Sequence, residues 1–146
     1  MAVVKGDKVH VRRWLKKSSE VIDEVFELAE GAVMGIGHTR QPSVGPVTLY
    51  NAHPLRAGKA LVVHNGSIGN YTDFTKEDDP EVDSFALARI FSSGKFKNGL
   101  QQLGQLEWSG AFLVLSLDRP YHLLAVAQNS LSLIADRRSG IFWVAS

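Results

Sequence analysis

Four short runs of apolar and β-branched residues follow one another near the end of the chain, and they constrain its fold more than any other feature. Each run has the length and composition of a β-strand. The runs are Phe112 to Leu117, His122 to Ala127, Leu131 to Ala135 and Ile141 to Ala145. The connections between them are too short for a crossover helix, so successive strands are predicted to pair antiparallel.

Helical patterns precede these strands. Residues 18–30 place apolar side chains at helical spacing, with Ser18 as a candidate N-cap and Gly31 as a C-terminal stop. Two further helices are predicted over residues 82–91 and 96–106. Together with the strands, they predict an α+β fold in which helices cover antiparallel sheets.

Four more strands and one irregular segment are predicted in the first 63 residues. Residues 2–4 and 9–13 form a predicted hairpin, residues 32–37 a strand of small residues, and residues 60–63 an apolar strand. Residues 38–59 hold three of the five prolines and are predicted to be irregular. Without a repeat or a linker, residues 1–146 are predicted to be a single domain.

Composition excludes several classes of function. The formal net charge is only +1, and the one basic cluster, at residues 12–17, is too small to predict nucleic-acid binding. No apolar run reaches the roughly 18 residues of a membrane span, and the N-terminus lacks a secretory apolar region, so we expect a cytoplasmic protein.

The absence of cysteine excludes further kinds of site. With no cysteine among its 146 residues, the chain has no disulfide, no thiolate metal site and no thiol nucleophile. His38, His53 and His64 lack metal-ligand spacing, and no glycine-rich phosphate loop follows a strand. We therefore expect no metal and no cofactor.

Three polar motifs next to predicted strands and helices suggest a binding site. Arg40 has the planar donor fork that binds carboxylates. Asn65 and Gly66 offer a side-chain amide and a backbone N–H, the pair of donors that an oxyanion hole requires. Asp83, near a helix start, is a candidate partner for an ammonium group. Together these groups suit an α-amino acid with an amide side chain.

Each motif also has an ordinary structural interpretation. Asn65-Gly66 is a common tight-turn pair, Asp83 is a candidate helix cap, and Arg40 is a candidate surface ion-pair partner. These alternatives stay open when the residues are considered one at a time.

Taken in order, the motifs resemble those of the class II glutamine amidotransferases, which have an N-terminal nucleophile. The family patterns are similar to GHTRWATHG, NAHP, VHNGxIxNY and D[ST]E. The segments here are GHTRQPSVG (37–45), NAHP (51–54), VHNGSIGNY (63–71) and DSF (83–85). Residues 108–112 and 142–146 resemble two later strands of the family, and the likeness runs from about residue 4 to the end.

This resemblance implies a fold and a set of roles. The fold is the Ntn-hydrolase αββα sandwich, two antiparallel sheets packed face to face with helices outside. Asn65 and Gly66 are expected to form the oxyanion hole. The resemblance assigns the glutamine carboxylate to Arg40, the ammonium to Asp83, and flanking positions to Thr39 and Ser43.

The chain also departs from the family pattern. The family nucleophile is a cysteine at residue 1, whose own amino group is the base, whereas here residue 1 is Met and residue 2 is Ala. The strand that carries the nucleophile is therefore expected to be missing, and the domain to be shorter at both ends. Gln41 and Val44 replace a Trp and a His of the family, and Phe85 replaces an acidic residue.

The motifs that match the family and the cysteine that is missing leave three candidate functions. The favoured one is a pseudoenzyme that binds glutamine or glutamate, or a protein partner, as a regulatory module. In the second, a partner chain supplies the cysteine strand and the synthase domain to an active glutaminase. In the third, the fold is redeployed toward another protein, such as a host target. A protein partner or a second copy is expected to pair with an open sheet edge.

Overall fold

The computed structural model describes residues 1–41, 44–128, 132–136 and 141–145. Its strands are β1 (Ala2–Lys5), β2 (Lys8–Val11), β3 (Met34–Ile36), β4 (Leu55–Ala57), β5 (Ala60–Ile68), β6 (Trp108–Ser116), β7 (Leu123–Ala127), β8 (Ser132–Asp136) and β9 (Ile141–Ala145). Its α-helices are α1 (Ile22–Ala29), α2 (Phe85–Ile90) and α3 (Phe96–Leu103), and short 3₁₀ helices cover Ser18–Glu20 and Tyr71–Asp73.

The strands of the described residues form antiparallel sheets. As the short connections predicted, β6 pairs with β7 and β8 with β9, but no pairing of β7 with β8 is found among the described residues. The strand orders are β2-β1-β3, β4-β5-β6-β7 and β8-β9, and every pairing between neighbours is antiparallel. The predicted α+β class of the fold is therefore confirmed.

Strand β5 lies at the centre of the packing because its two faces enter different cores. Ala60 and Val62 face the core shared with α2 and α3, whereas Leu61 and Val63 face the core shared with β1 and β3. This alternation is the period-2 pattern of a strand buried on both faces. The layers are therefore the β1 sheet, the β5 sheet, and then helices α2 and α3. Burying one such Val or Leu side chain stabilises the fold by about 1.5–3 kcal/mol.

Helix α2 is the most buried helix of the described residues. Five of its six residues, all apolar, are buried: Phe85, Ala86, Leu87, Ala88 and Ile90. It lies against β4, β5 and α3. Helix α1 differs, since none of its residues is buried.

Several element boundaries differ from the predictions. Ser18 is not a helix cap, because residues 18–20 form a 3₁₀ turn and α1 begins only at Ile22. Helices α2 and α3 are shorter than predicted, and β4 lies inside the segment predicted to be irregular. The predicted turns at 128–130 and 137–140 lie largely or wholly outside the described residues.

The largest difference concerns β5. The sequence predicted a strand that ends before Asn65-Gly66, yet β5 continues through both residues to Ile68. Asn65 pairs with Ala111 and Gly66 with Gly110, so the tight-turn interpretation is wrong. Pairing along the full length of β6 outweighs the local turn preference of Asn-Gly. In the part of the chain that the structure describes, no helix has the length and apolar character needed to cross a membrane.

Candidate functional site

Two glycines face each other where β5 and β6 approach closely. A Cβ on Gly66 (φ +155°) would lie 1.9 Å from the Ser109 carbonyl oxygen, and one on Gly110 (φ +92°) would lie 2.0 Å from the Asn65 carbonyl oxygen. Any larger residue would collide with the opposite backbone. Gly66 is therefore required by the strand pairing, and its role as an oxyanion donor stays a prediction.

His64 anchors the same part of the sheet with both ring nitrogens. Its Nε2 lies 2.9 Å from the Ser109 carbonyl oxygen, which only accepts, so Nε2 carries the proton. The Ser84 hydroxyl, 2.9 Å from Nδ1, must then be the donor to that nitrogen. Burial lowers the pKa of His64, against the opposing effects of the Ser109 carbonyl and the Asp83 charge. The neutral ring is thus held in one tautomer and orientation.

Asp83 links the end of β5 to the start of α2. Its Oδ2 accepts a 2.9 Å hydrogen bond from the Ile68 N–H, and its Oδ1 accepts a 2.8 Å bond from the Ser84 N–H. Asp83 is buried and precedes Ser84, the N-cap residue, so it does not itself occupy the cap position. Each oxygen already has a backbone donor, and an ammonium group would have to use a remaining lone pair.

Thr39 and Arg40 lie directly after β3, in the segment that leaves the first sheet. Thr39 is exposed and Arg40 is half-buried. The Arg40 guanidinium donates a hydrogen bond to the Val44 carbonyl oxygen. Among the described residues no salt bridge involves Arg40, which does not support the surface ion-pair alternative. Ser43 lies outside the described residues.

His38 and His53 form a ring pair that the sequence did not predict. Their ring centroids are 4.3 Å apart with planes tilted by 45°. Burial, reinforced by nearby cationic groups, lowers the pKa of His53 to about 2 and also lowers the pKa of His38. Neither ring nitrogen of His53 has a hydrogen-bond partner among the described residues. The shared N-A-H-P segment was a signal for His53, but its contact with His38 spans 15 positions along the chain and could not be predicted.

A cavity of about 310 Å³ lies between the end of β3 and strands β5, β6 and β9. Its polar edge comes from residues at the end of β3 and in β5, namely His38, Thr39, His64 and Asn65. Its apolar wall comes from β5, β6 and β9, with Phe112 and Val144 among the contributing residues. No charged residue is among the described lining residues.

A larger groove, of about 1050 Å³, adjoins this cavity. The two share Gly37, His38 and Thr39, and the groove also contains Arg40 and His53. The structure therefore brings Thr39 together with Asn65 in the cavity and with Arg40 in the groove. Asp83 and Gly66 are not among the described residues that line either space. No group of three or more potential metal ligands is found within the described ranges.

Comparison with known proteins finds sequences similar to this chain within larger proteins. No protein-family model matches. The chain is similar to glutamine–fructose-6-phosphate aminotransferase (isomerizing) of Aquifex aeolicus, at 30% identity over 89% of this chain and 24% of that protein. The proteins of the same name from Corynebacterium efficiens and Thermosynechococcus vestitus are 34% and 33% identical, over 79% and 89% of this chain. The chain thus spans about a quarter of the length of these relatives.

Proposed function

Because this chain carries a domain of the class II glutamine amidotransferase family, we propose that it binds glutamine, or glutamate, and does not hydrolyse glutamine by itself. The domain then acts as a cytoplasmic binding or regulatory module. We also propose that its face-to-face sheets with outer helices are an Ntn-hydrolase αββα sandwich.

The observation that carries the proposal is the shared edge of the cavity and the groove at Thr39. The cavity has an uncharged polar edge at Asn65 and an apolar wall, which suits the amide side chain of glutamine. The groove beside it holds Arg40, whose guanidinium suits the α-carboxylate. One amino acid lying across Thr39 would therefore use both spaces.

The same contacts argue against hydrolysis. The sequence contains no cysteine. Thr39 supplies a hydroxyl, yet the histidines near it are poor bases for activating it. Both nitrogens of His64 are already in hydrogen bonds, and burial lowers the pKa values of His38 and His53, so their neutral rings accept a proton only weakly. Loss of a hydrolase nucleophile typically lowers kcat by about 10⁶-fold.

Calorimetric titration of the purified chain with glutamine tests the proposal, together with an ammonia-release assay. We expect binding without ammonia release above the rate in buffer. Arg40→Ala should weaken binding by at least about tenfold, because it removes a charge-assisted contact. The matched control is Arg119→Ala, at an exposed arginine in the turn between β6 and β7. Absence of glutamine and glutamate binding, or robust ammonia release, would refute the proposal.

A second candidate function is an active glutaminase whose cysteine strand comes from another chain. The favouring observation is the edge of β3, which pairs only with β1 among the described strands and leads directly into residues 37–40. A strand added to this edge would begin beside the cavity. The test is to add a synthetic peptide with an N-terminal cysteine and an apolar strand sequence. This candidate predicts ammonia release above that of the peptide alone, and an unchanged rate eliminates the peptide-supplied form.

A further inference from the structure

The groove beside the cavity is larger than a single amino acid requires. Its volume of about 1050 Å³ lies just above the roughly 300–1,000 Å³ range of small-molecule sites. It extends from residues 37–40 to the segment 14–19 and helix α1 on one side, and to residues 47–53 on the other. The end near Arg40 belongs to the proposed amino-acid site, whereas the end near α1 is not used by it.

The α1 end of the groove presents apolar side chains to solvent. Ile22 is 46% exposed, Leu15 52% and Val47 63%, and all three line the groove. Val25 of α1 and Val21, a buried residue just before α1, also line this end of the groove. An amphipathic helix normally buries its apolar face, yet no residue of α1 is buried. Covering such a contiguous apolar surface is favourable.

Among the described residues, the charged side chains that line the groove are all cationic. Lys16, Lys17 and Arg40 are among its lining residues, and no Asp or Glu is among the described ones. Lys16 is partly neutralised by Glu24, whose carboxylate lies 4.0 Å from its Nζ and also pairs with Arg12. Within the described residues Lys17 has no salt bridge. Glu20 and Asp23 are exposed next to the groove but are not among its lining residues. Carboxylates of an occupant therefore gain electrostatic energy where they face Lys17 and Lys16.

We propose that the α1 end of the groove is a docking site for a polypeptide segment of a partner protein in which apolar side chains alternate with acidic ones. The apolar side chains lie against Leu15, Ile22 and Val47, and the carboxylates lie toward Lys17 and Lys16. This site goes beyond the proposed amino-acid site and does not depend on glutamine binding.

Fluorescence anisotropy with synthetic probes tests the docking site on the full chain. The first probe is a labelled, acetylated ten-residue peptide in which Leu alternates with Glu, and the second replaces each Glu by Lys. We expect the Leu-Glu peptide to bind at least tenfold more tightly than the Leu-Lys peptide in low salt, and to weaken as salt is raised. The same titration with saturating glutamine shows whether the two ligands bind independently.

Two substitutions, one of a cation and one of an apolar residue that line the groove, test the two parts of the proposal separately. Lys17→Glu should weaken the Leu-Glu peptide about two- to fivefold, and Ile22→Ser roughly tenfold. The matched controls lie on α3, where Lys97 and Leu100 are exposed, and Lys97→Glu and Leu100→Ser should leave binding unchanged. Circular dichroism confirms that each variant is folded.

Three results would overturn the docking site. One is equal binding of the two peptides, or no binding of either. Another is an equal loss in Lys17→Glu and Lys97→Glu. The third is concentration-dependent self-association in sedimentation that Ile22→Ser abolishes, since a second copy would then be the occupant. Failure of glutamine to bind while the Leu-Glu peptide still binds would refute only the amino-acid proposal.

Discussion

A substitution of Gly110 at the β5–β6 contact combines backbone strain with steric collision, and substitutions of three glycines elsewhere allow the two costs to be separated. Gly110→Ala meets both, because its φ is +92° and the new Cβ would lie 2.0 Å from the Asn65 carbonyl oxygen. A positive φ costs a non-glycine residue roughly 1–2 kcal/mol, and overpacking costs roughly 1–3 kcal/mol. We therefore expect Gly110→Ala to lower the free energy of unfolding by about 2–5 kcal/mol.

Of the other substitutions, Gly6→Ala isolates the strain and Gly99→Ala the collision, whereas Gly104→Ala is a control with neither. Gly6→Ala has a φ of +56° and no atom within 4 Å of the new Cβ, so about 1–2 kcal/mol is expected. Gly99→Ala places its Cβ 2.0 Å from Cδ1 of Phe91, a ring buried in the core, so about 1–3 kcal/mol is expected. Gly104→Ala, with a φ of −66° and no atom within 4 Å, should be neutral or slightly stabilising.

Urea unfolding followed by circular dichroism measures all four variants against the parent chain. Typical domains are stable by only about 5–15 kcal/mol, so Gly110→Ala should show a large decrease in midpoint, whereas Gly104→Ala should not. The reasoning is refuted if Gly110→Ala costs no more than Gly6→Ala. That result would mean that β5 and β6 can separate at Gly66 without loss of stability.

Three further predictions concern buried polar groups. Ser84→Ala should cost about 1–3 kcal/mol in urea unfolding, because it leaves Nδ1 of buried His64 without its donor; an unchanged midpoint would show that this hydrogen bond does not stabilise the fold. The hydrogen bond from Arg89 holds the pKa of Asp79 below its usual value, although burial alone would raise it. The stabilisation by this pair is therefore complete above the unfolded pKa of about 4 and is lost as the pH falls through the folded value. Asp79→Asn should therefore lose about 1 kcal/mol at pH 7 and progressively less as the pH is lowered below about 4. Burial lowers the pKa of His53 to about 2. As the pH is lowered below about 6.5, the unfolded chain therefore binds one more proton at this residue than the folded chain, and stability should fall by up to roughly 1.4 kcal/mol per pH unit. His53→Phe should remove this part of the pH dependence between pH 7 and 5, and an identical profile would show that His53 is protonated in the folded chain.

The repeating patterns of the sequence were enough to predict the class of the fold. Alternating and apolar runs near the C-terminus predicted the antiparallel strands, since side-chain direction in a strand repeats every two residues. Helical spacing after residue 18 predicted α1, although not its start at Ile22. Local chemistry was less informative at Asn65-Gly66, where the preference for a turn gave way to pairing with Ala111 and Gly110.

The residues of the candidate site were found in the sequence as separate motifs, and only the tertiary structure decided how they are arranged. It brings Thr39 to the edge shared by the cavity and the groove, and buries Asp83 in hydrogen bonds with β5 and α2. It also leaves α1 uncovered beside the groove. Composition and periodicity act over a few neighbouring residues, so the sequence by itself determined the absence of a thiol and most of the strands and helices, although not β4 or the extension of β5 to Ile68. Which polar groups meet depends on contacts between residues distant in the chain, and these exist only once the sheets have packed.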